Sequence, residues 1–224
     1  MEPLFTVDAI RRVPLFSMLT EAQAQAIADV IVRQRLRRGE LIVQQARKSE
    51  ALFILLSGRA LVVATDARGR EVVLSVLKAG DYVGEMSLID DKPHSASVVV
   101  DAAADVLVLG RGAFATCLPR NANLTYMVLR GLVARLRGAN RQIESLALFD
   151  VHGRVARVLI DLAEAHGHAR VVPAGISRTT LAKMVGASRE MVGRVLKNLE
   201  ERELIQTQPD GTLLIRGPLE QVED

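Results

Sequence analysis

Ser177 to Leu199 reads SRTTLAKMVGASREMVGRVLKNL, and its spacing decides the fold of the last third of the chain. Val192, Val195, Leu196 and Leu199 recur at i, i+3, i+4 and i+7, which puts one apolar stripe along a helix. Glu190, Gly193, Arg194 and Lys197 fall on the opposite stripe at the same spacing, with Arg189 at the first helical position. Upstream, Leu181, Ala182, Met184 and Val185 make a second short amphipathic helix. Gly186-Ala187-Ser188 is a tight connection whose serine caps the helix that follows. Two short helices joined by a Gly-containing turn form a helix-turn-helix. Its outward face fits a major groove, because Arg donates two hydrogen bonds to guanine O6 and N7 while Glu accepts from cytosine N4. A helix N-terminus also favours nearby phosphate. A helical hairpin with a solvated charged face satisfies the same periodicity, so the helices alone leave both readings open.

The next segment separates them. Leu204-Ile205-Gln206-Thr207 and Thr212-Leu213-Leu214-Ile215 read as two strands joined at Pro209-Asp210-Gly211, a wing beside the helices. From Ile176 to Ile205 the chain, ISRTTLAKMVGASREMVGRVLKNLEERELI, resembles the DNA-binding domain of the CRP/FNR family of bacterial transcription regulators. The resemblance implies that Arg189, Glu190 and Arg194 read bases and that Ser177, Arg178, Thr179, Ser188 and Lys197 sit near phosphates. Met191 stands where many members have Thr, which removes one hydroxyl contact.

The chain has 224 residues, 49% of them hydrophobic, enough for two modest domains. No run of about 18 apolar residues is present, so no membrane span is expected. The start of the chain shows no charged segment leading into an apolar one, and Cys117 is the only cysteine. A reducing cytoplasm is therefore the expected compartment. The net charge of +3 is too small to identify a partner by itself.

Leu15 to Ile31 reads as a helix capped at Thr20. Short β-branched runs follow: Leu41–Val43, Leu52–Leu56, Leu61–Val63, Val72–Val76, Ser97–Val100 and Val106–Leu109, punctuated by Gly39, Gly58, Gly69, Gly80 and Gly84. Such spacing predicts an antiparallel roll or jelly roll, so the fold class is α+β. A metal-dependent enzyme of the cupin type needs clustered histidines, and this portion holds only His94. His166-Gly167-His168 reads as a solvated loop. One cysteine cannot hold an iron–sulfur cluster, and neither a nucleophile–base pair nor a Gly-rich Walker loop is visible. The expectation is a protein that is not an enzyme, without metal, haem or cluster.

Gly80 to Ser97, GDYVGEMSLIDDKPHSAS, resembles the phosphate-binding cassette of cyclic-nucleotide-binding domains. Gly84 lets backbone N–H groups approach a phosphate closely. The resemblance implies effector contacts from Gly84, Glu85, Met86, Ser87, His94, Ser95 and Ala96, with Glu85 accepting from the ribose 2′-hydroxyl and Ser95 holding the phosphate. The family's cyclic-nucleotide binders carry Arg where this chain has His94. Loss of one charge-assisted hydrogen bond, about 1.5 to 3 kcal/mol, weakens cyclic AMP roughly ten- to a hundredfold. Ala139 and Asn140 stand where the cyclic-AMP-responsive member has Thr and Ser against the adenine. Cyclic AMP or cyclic di-GMP is the expected effector.

Asn121 to Leu148 reads as one long helix capped at Asn121. Leu129, Leu132, Leu136, Ala139, Ile143 and Leu146 are spaced 3, 4, 3, 4, 3, which predicts a seam for a parallel homodimer, the alternative being a helix lying on its own barrel. Arg130, Arg135, Arg137, Arg141 and Gln142 are expected on its solvent sides. Asp150 caps a further helix, Val151 to Ala165, so Leu148-Phe149-Asp150 is the hinge. The expected organisation is an effector domain (1–120), a dimerisation helix and hinge (121–149) and a winged helix-turn-helix (150–224). Double-stranded DNA with palindromic half-sites resembling TGTGA and a second copy of the chain are the expected partners, with RNA polymerase added for an activator. Two alternatives stay open: a regulator that needs no ligand, and a nucleotide-binding module whose winged domain contacts protein.

Overall fold

The structure is a computed structural model and describes residues 7–117, 122–167 and 169–219. It divides into two compact units, Met1–Leu136 and Arg137–Asp224.

The first unit opens with α1 (Val7–Arg11), a 3-10 turn (Pro14–Phe16) and α2 (Glu21–Ala28). Thr20 starts α2 with a capping box: its hydroxyl accepts from the Gln23 N–H, and the Thr20 N–H donates to Gln23 Oε1. The helix expected from Leu15 to Ile31 is thus shorter, because Pro14 starts a separate turn and Ile31 leads into a strand. That strand, β1 (Val32–Leu36), carries no signal in the sequence: only Leu36 is buried, so VRQRL shows no apolar alternation. Then come β2 (Leu41–Val43), β3 (Ala51–Thr65), β4 (Glu71–Leu77), β5 (Tyr82–Val83), α3 (Glu85–Asp90), β6 (Ser97–Gly110) and α4 (Arg111–Cys117).

The sheet runs β1-β6-β3-β4, with β2 also on β6 and β5 also on β3, every pairing antiparallel. β3 and β6 each join two runs that the sequence presents separately. Gly58 explains the first: its φ of 86° and a close approach to Ala103 and Ala104 bend the strand at a register shift without ending it. Inside the roll, Leu36, Ile42, Leu55, Leu77, Val98, Val100 and Val106 form one apolar cluster. A second joins Ile10, Phe16 and Ile27 to Leu52, Ile54, Leu107, Leu109, Phe114, Leu124 and Val128, the last two from α5 (Ala122–Leu148). Asn121, the expected cap of α5, lies outside the described residues.

The second unit adds α6 (Val151–Leu162), β7 (Glu164–His166), β8 (Ala169–Val172), α7 (Arg178–Val185), α8 (Arg189–Glu201), β9 (Ile205–Thr207) and β10 (Leu213–Ile215). Asp150 caps α6 by accepting from the Gly153 N–H at 2.8 Å. The helix ends at Leu162 rather than Ala165, because Ala163 is extended and Glu164–His166 pairs with β8. His166 therefore ends a strand instead of lying in a loop, and His168 lies outside the described residues. The wing is larger than two strands, a sheet ordered β7-β8-β10-β9.

Candidate functional site

The cassette is built on a turn that only glycine fits. Gly84, with φ 103°, starts α3, and a Cβ there would collide with the carbonyl of Ala51. Ser87 Oγ accepts from the Ser49 N–H at 2.9 Å, and Ser49 Oγ donates to the Ala51 carbonyl at 2.6 Å, which pins α3 to the start of β3. Ser87, expected among the effector contacts, is buried and its hydroxyl holds the cassette together. Met86 and Ser95 are exposed and Ala96 is buried.

Glu85 is 1% exposed. Its Oε1 accepts from Arg135 Nη1, while Arg135 Nη2 donates to the Tyr82 carbonyl and the guanidinium lies 4.9 Å above the Tyr82 ring. Burial raises the Glu85 pKa, and Arg135 and the residue's own backbone amide offset this only in part. Tyr82 donates its hydroxyl hydrogen to the Val128 carbonyl at 3.0 Å, beside Gly131, where any Cβ would meet the phenol oxygen. Burial pushes the Tyr82 phenol up to about 12. Arg135, expected on a solvent side of α5, instead ties that helix to the cassette.

His94 is clamped through its backbone: its N–H donates to the Arg47 carbonyl at 2.8 Å and its carbonyl accepts from the Ala46 N–H at 2.9 Å. Burial lowers the imidazole pKa. Glu85 Oε2 and His94 Nε2 are buried without a hydrogen-bond partner in the protein. Two orphaned polar atoms in one cassette are what a polar ligand would satisfy. Among the described residues no group of three or more His, Cys, Asp or Glu could hold a metal ion.

On α5, Leu129, Leu136, Ile143 and Leu146 are more than half exposed, and Ala139 and Asn140 are exposed beyond Leu136. Leu132 instead packs against the core of its own barrel, while Tyr126 and Val133 are exposed in the same unit. Of the apolar residues on this face the roll takes Leu132, and Tyr126 and Val133 stand exposed beside Leu129 and Leu136.

In the second unit, Ser177 Oγ accepts from the Thr180 N–H at 3.0 Å and Ser188 Oγ from the Met191 N–H at 3.1 Å, so both helices start where their serines cap them. Gly186 ends α7 in the left-handed region, and Arg154 of α6 donates to the Val185 carbonyl at 2.9 Å. Val192, Val195, Leu196 and Leu199 are buried. Arg189, Glu190, Arg194 and Lys197 are exposed on α8, as are Ser177, Arg178 and Thr179 at the start of α7. Arg194 lies 3.7 Å from Glu190 and Lys197 3.5 Å from Glu201, both solvent-exposed pairs. No described helix is long and apolar enough to cross a membrane.

An antiparallel roll with a Gly-Glu cassette, a long helix and a capped helix-turn-helix beside a wing together define a DNA-binding transcription regulator with a cyclic-nucleotide-binding-like domain. Residues 33–121 match the family of cyclic nucleotide-binding domains and residues 153–219 match that of Crp-like helix-turn-helix domains. The chain is 33% identical over 180 residues to the cAMP-activated global transcriptional regulator Vfr of Pseudomonas aeruginosa, covering 77% of this chain and 84% of that one. It is 33% identical over 168 residues to the cAMP-activated global transcriptional regulator CRP of Pasteurella multocida, covering 73% and 80%. In structure it is similar to the c-di-GMP-responsive global regulator CLP of Xanthomonas campestris, with TM-score 0.74, 26% identity and coverage of 89% and 100%. FixK2 of Bradyrhizobium japonicum shares the fold, with TM-score 0.75, 17% identity and coverage of 84% and 93%. This chain belongs to the CRP/FNR family of transcription regulators.

Proposed function

We propose that the chain acts as a homodimer that reads an inverted repeat in double-stranded DNA through α8, under control of a cyclic nucleotide or cyclic dinucleotide at the cassette. In this reading residues 1–120 are the effector domain, 121–149 the dimerisation helix and hinge, and 150–224 the DNA-binding domain. The outward face of α8 carries the proposal: Arg189, Glu190, Arg194 and Lys197 stand exposed over a fully apolar inner stripe.

Arg189 and Arg194 donate to guanine edges and Glu190 accepts from cytosine. Exposed ion pairs such as Arg194 with Glu190 contribute little to the fold, so exchanging them for base contacts costs little. Ser177, Arg178, Thr179, Ser188 and Lys197 hold phosphates and set the register. Two copies read both half-sites when their helices lie about one DNA turn, roughly 34 Å, apart. An effector that binds unequally to two dimer geometries shifts the population toward the one that meets this spacing. At the cassette, Glu85 Oε2 accepts a ligand hydroxyl, and Gly84, His94 and Ser95 face its phosphate. The relatives from P. aeruginosa and P. multocida are cAMP-activated and the X. campestris regulator is c-di-GMP-responsive, which supports this effector class. Activation adds a contact with RNA polymerase; repression needs none.

Selection from randomised duplexes tests the reading. The expected product is an inverted repeat with a G·C pair in each half, resembling TGTGA. Arg189→Ala should cost about 1 to 3 kcal/mol and relax discrimination at one guanine. Equal weakening on all sequences would contradict base reading.

A further inference from the structure

We propose that His94 makes the cassette a proton-coupled anion site, in which a cyclic phosphodiester binds together with a proton taken up by the imidazole. This rests on the cassette being the effector site and names how that site is regulated.

The backbone clamp on Ala46 and Arg47 fixes His94 at the turn after α3, and its Nε2 is buried and unpartnered. Three cations around the cassette already hold protein partners. Arg135 is held by Glu85 and the Tyr82 carbonyl; Lys48 lies 2.7 Å from Asp91; Arg111 donates to the Ser49 carbonyl at 2.7 Å and lies 3.4 Å from Asp91. Arg47 on the clamping loop is exposed, as are Asp90, Asp91 and Lys92 before the turn, and Glu85 opposes Arg135. Burial favours the neutral ring. At neutral pH the ring itself therefore offers the phosphate a hydrogen bond without a charge. A phosphodiester keeps its single negative charge throughout the mildly acid range, so it draws a proton onto His94, and the bond becomes charge-assisted.

Calorimetric titration with cyclic AMP at pH 5.5, 6.5 and 7.5, in buffers of low and high ionisation heat, tests this. The expected result is affinity about tenfold or more tighter at pH 5.5 than at pH 7.5. The measured heat should also depend on the buffer, by the amount that uptake of about one proton per site requires. His94→Arg should bind tightly at every pH, and His94→Gln weakly at every pH. A pH-independent wild-type affinity overturns the inference. So does the same pH dependence in His94→Gln, or a silent wild type beside a binding His94→Arg; all three leave the cassette as the effector site. If wild type and both variants stay silent at every pH toward cyclic AMP and, in the same titration, toward cyclic di-GMP, the effector reading itself falls.

Discussion

A carboxylate at 1% exposure destabilises a fold unless its charge is met, and Glu85 is met on one oxygen only. Its folded pKa is raised, so the native state binds the proton more tightly than the unfolded chain does. Glu85 therefore favours folding below the ordinary carboxylate range, and that contribution is lost as pH rises through the folded pKa. Glu85→Gln should raise the thermal midpoint of the effector-free protein at pH 7, with the difference closing toward pH 4, and should abolish effector binding. Scanning calorimetry checks this, and a lower midpoint at pH 7 would show that the Arg135 contact outweighs the burial. Glu85 and His94 were legible in the sequence because the cassette sets both in a local pattern. Arg135 was not. It sits among other arginines on α5, and its partner is 50 residues away in the chain.

Elements were legible where several local signals agreed. α7 and α8 combine a serine cap, apolar periodicity and a glycine turn, and all of these hold in the structure. β1 failed because an edge strand with one buried residue has no pattern to read. The continuity of β3 was hidden because Gly58 looks like a terminator when it is a bend within a strand, and that of β6 because the DAAAD stretch, 101–105, interrupts its apolar runs. The sequence left the packing of α5 on the roll as an alternative to a dimer seam, since the meeting of Tyr82 with Gly131 has no local signature. Gly131→Ala forces a methyl against the Tyr82 hydroxyl and should destabilise the protein by about 1 to 3 kcal/mol. Tyr82→Phe in the same chain removes that hydroxyl and should restore part of the loss. Denaturant unfolding of the single and double variants measures it, and equal instability in the two would contradict this account of the contact.

For the whole molecule, the order of roll, long helix and winged helix-turn-helix could be read in advance, because each segment carries its own periodicity. The apolar 3, 4 repeat on α5 was legible, but not that the roll takes Leu132 from it. Tyr126, Leu129, Val133, Leu136 and Ile143 are left half or more exposed, an apolar line suited to a second copy of the same helix. Leu136→Glu should yield monomers by sedimentation, with affinity for an inverted repeat no better than for one half-site; a stable dimer in this variant would move the interface elsewhere.

The most direct test of base reading by paired α8 helices compares a selected inverted repeat with the same duplex carrying one scrambled half, at low and high salt. Both affinities should fall with salt, because phosphate contacts release counterions. The intact repeat should keep a preference of about a thousandfold or more over random duplex, lose most of it when one half is scrambled, and lose discrimination at one guanine in Arg189→Ala. Equal affinity for repeat, scrambled and random duplexes, differing only with salt, would contradict the account.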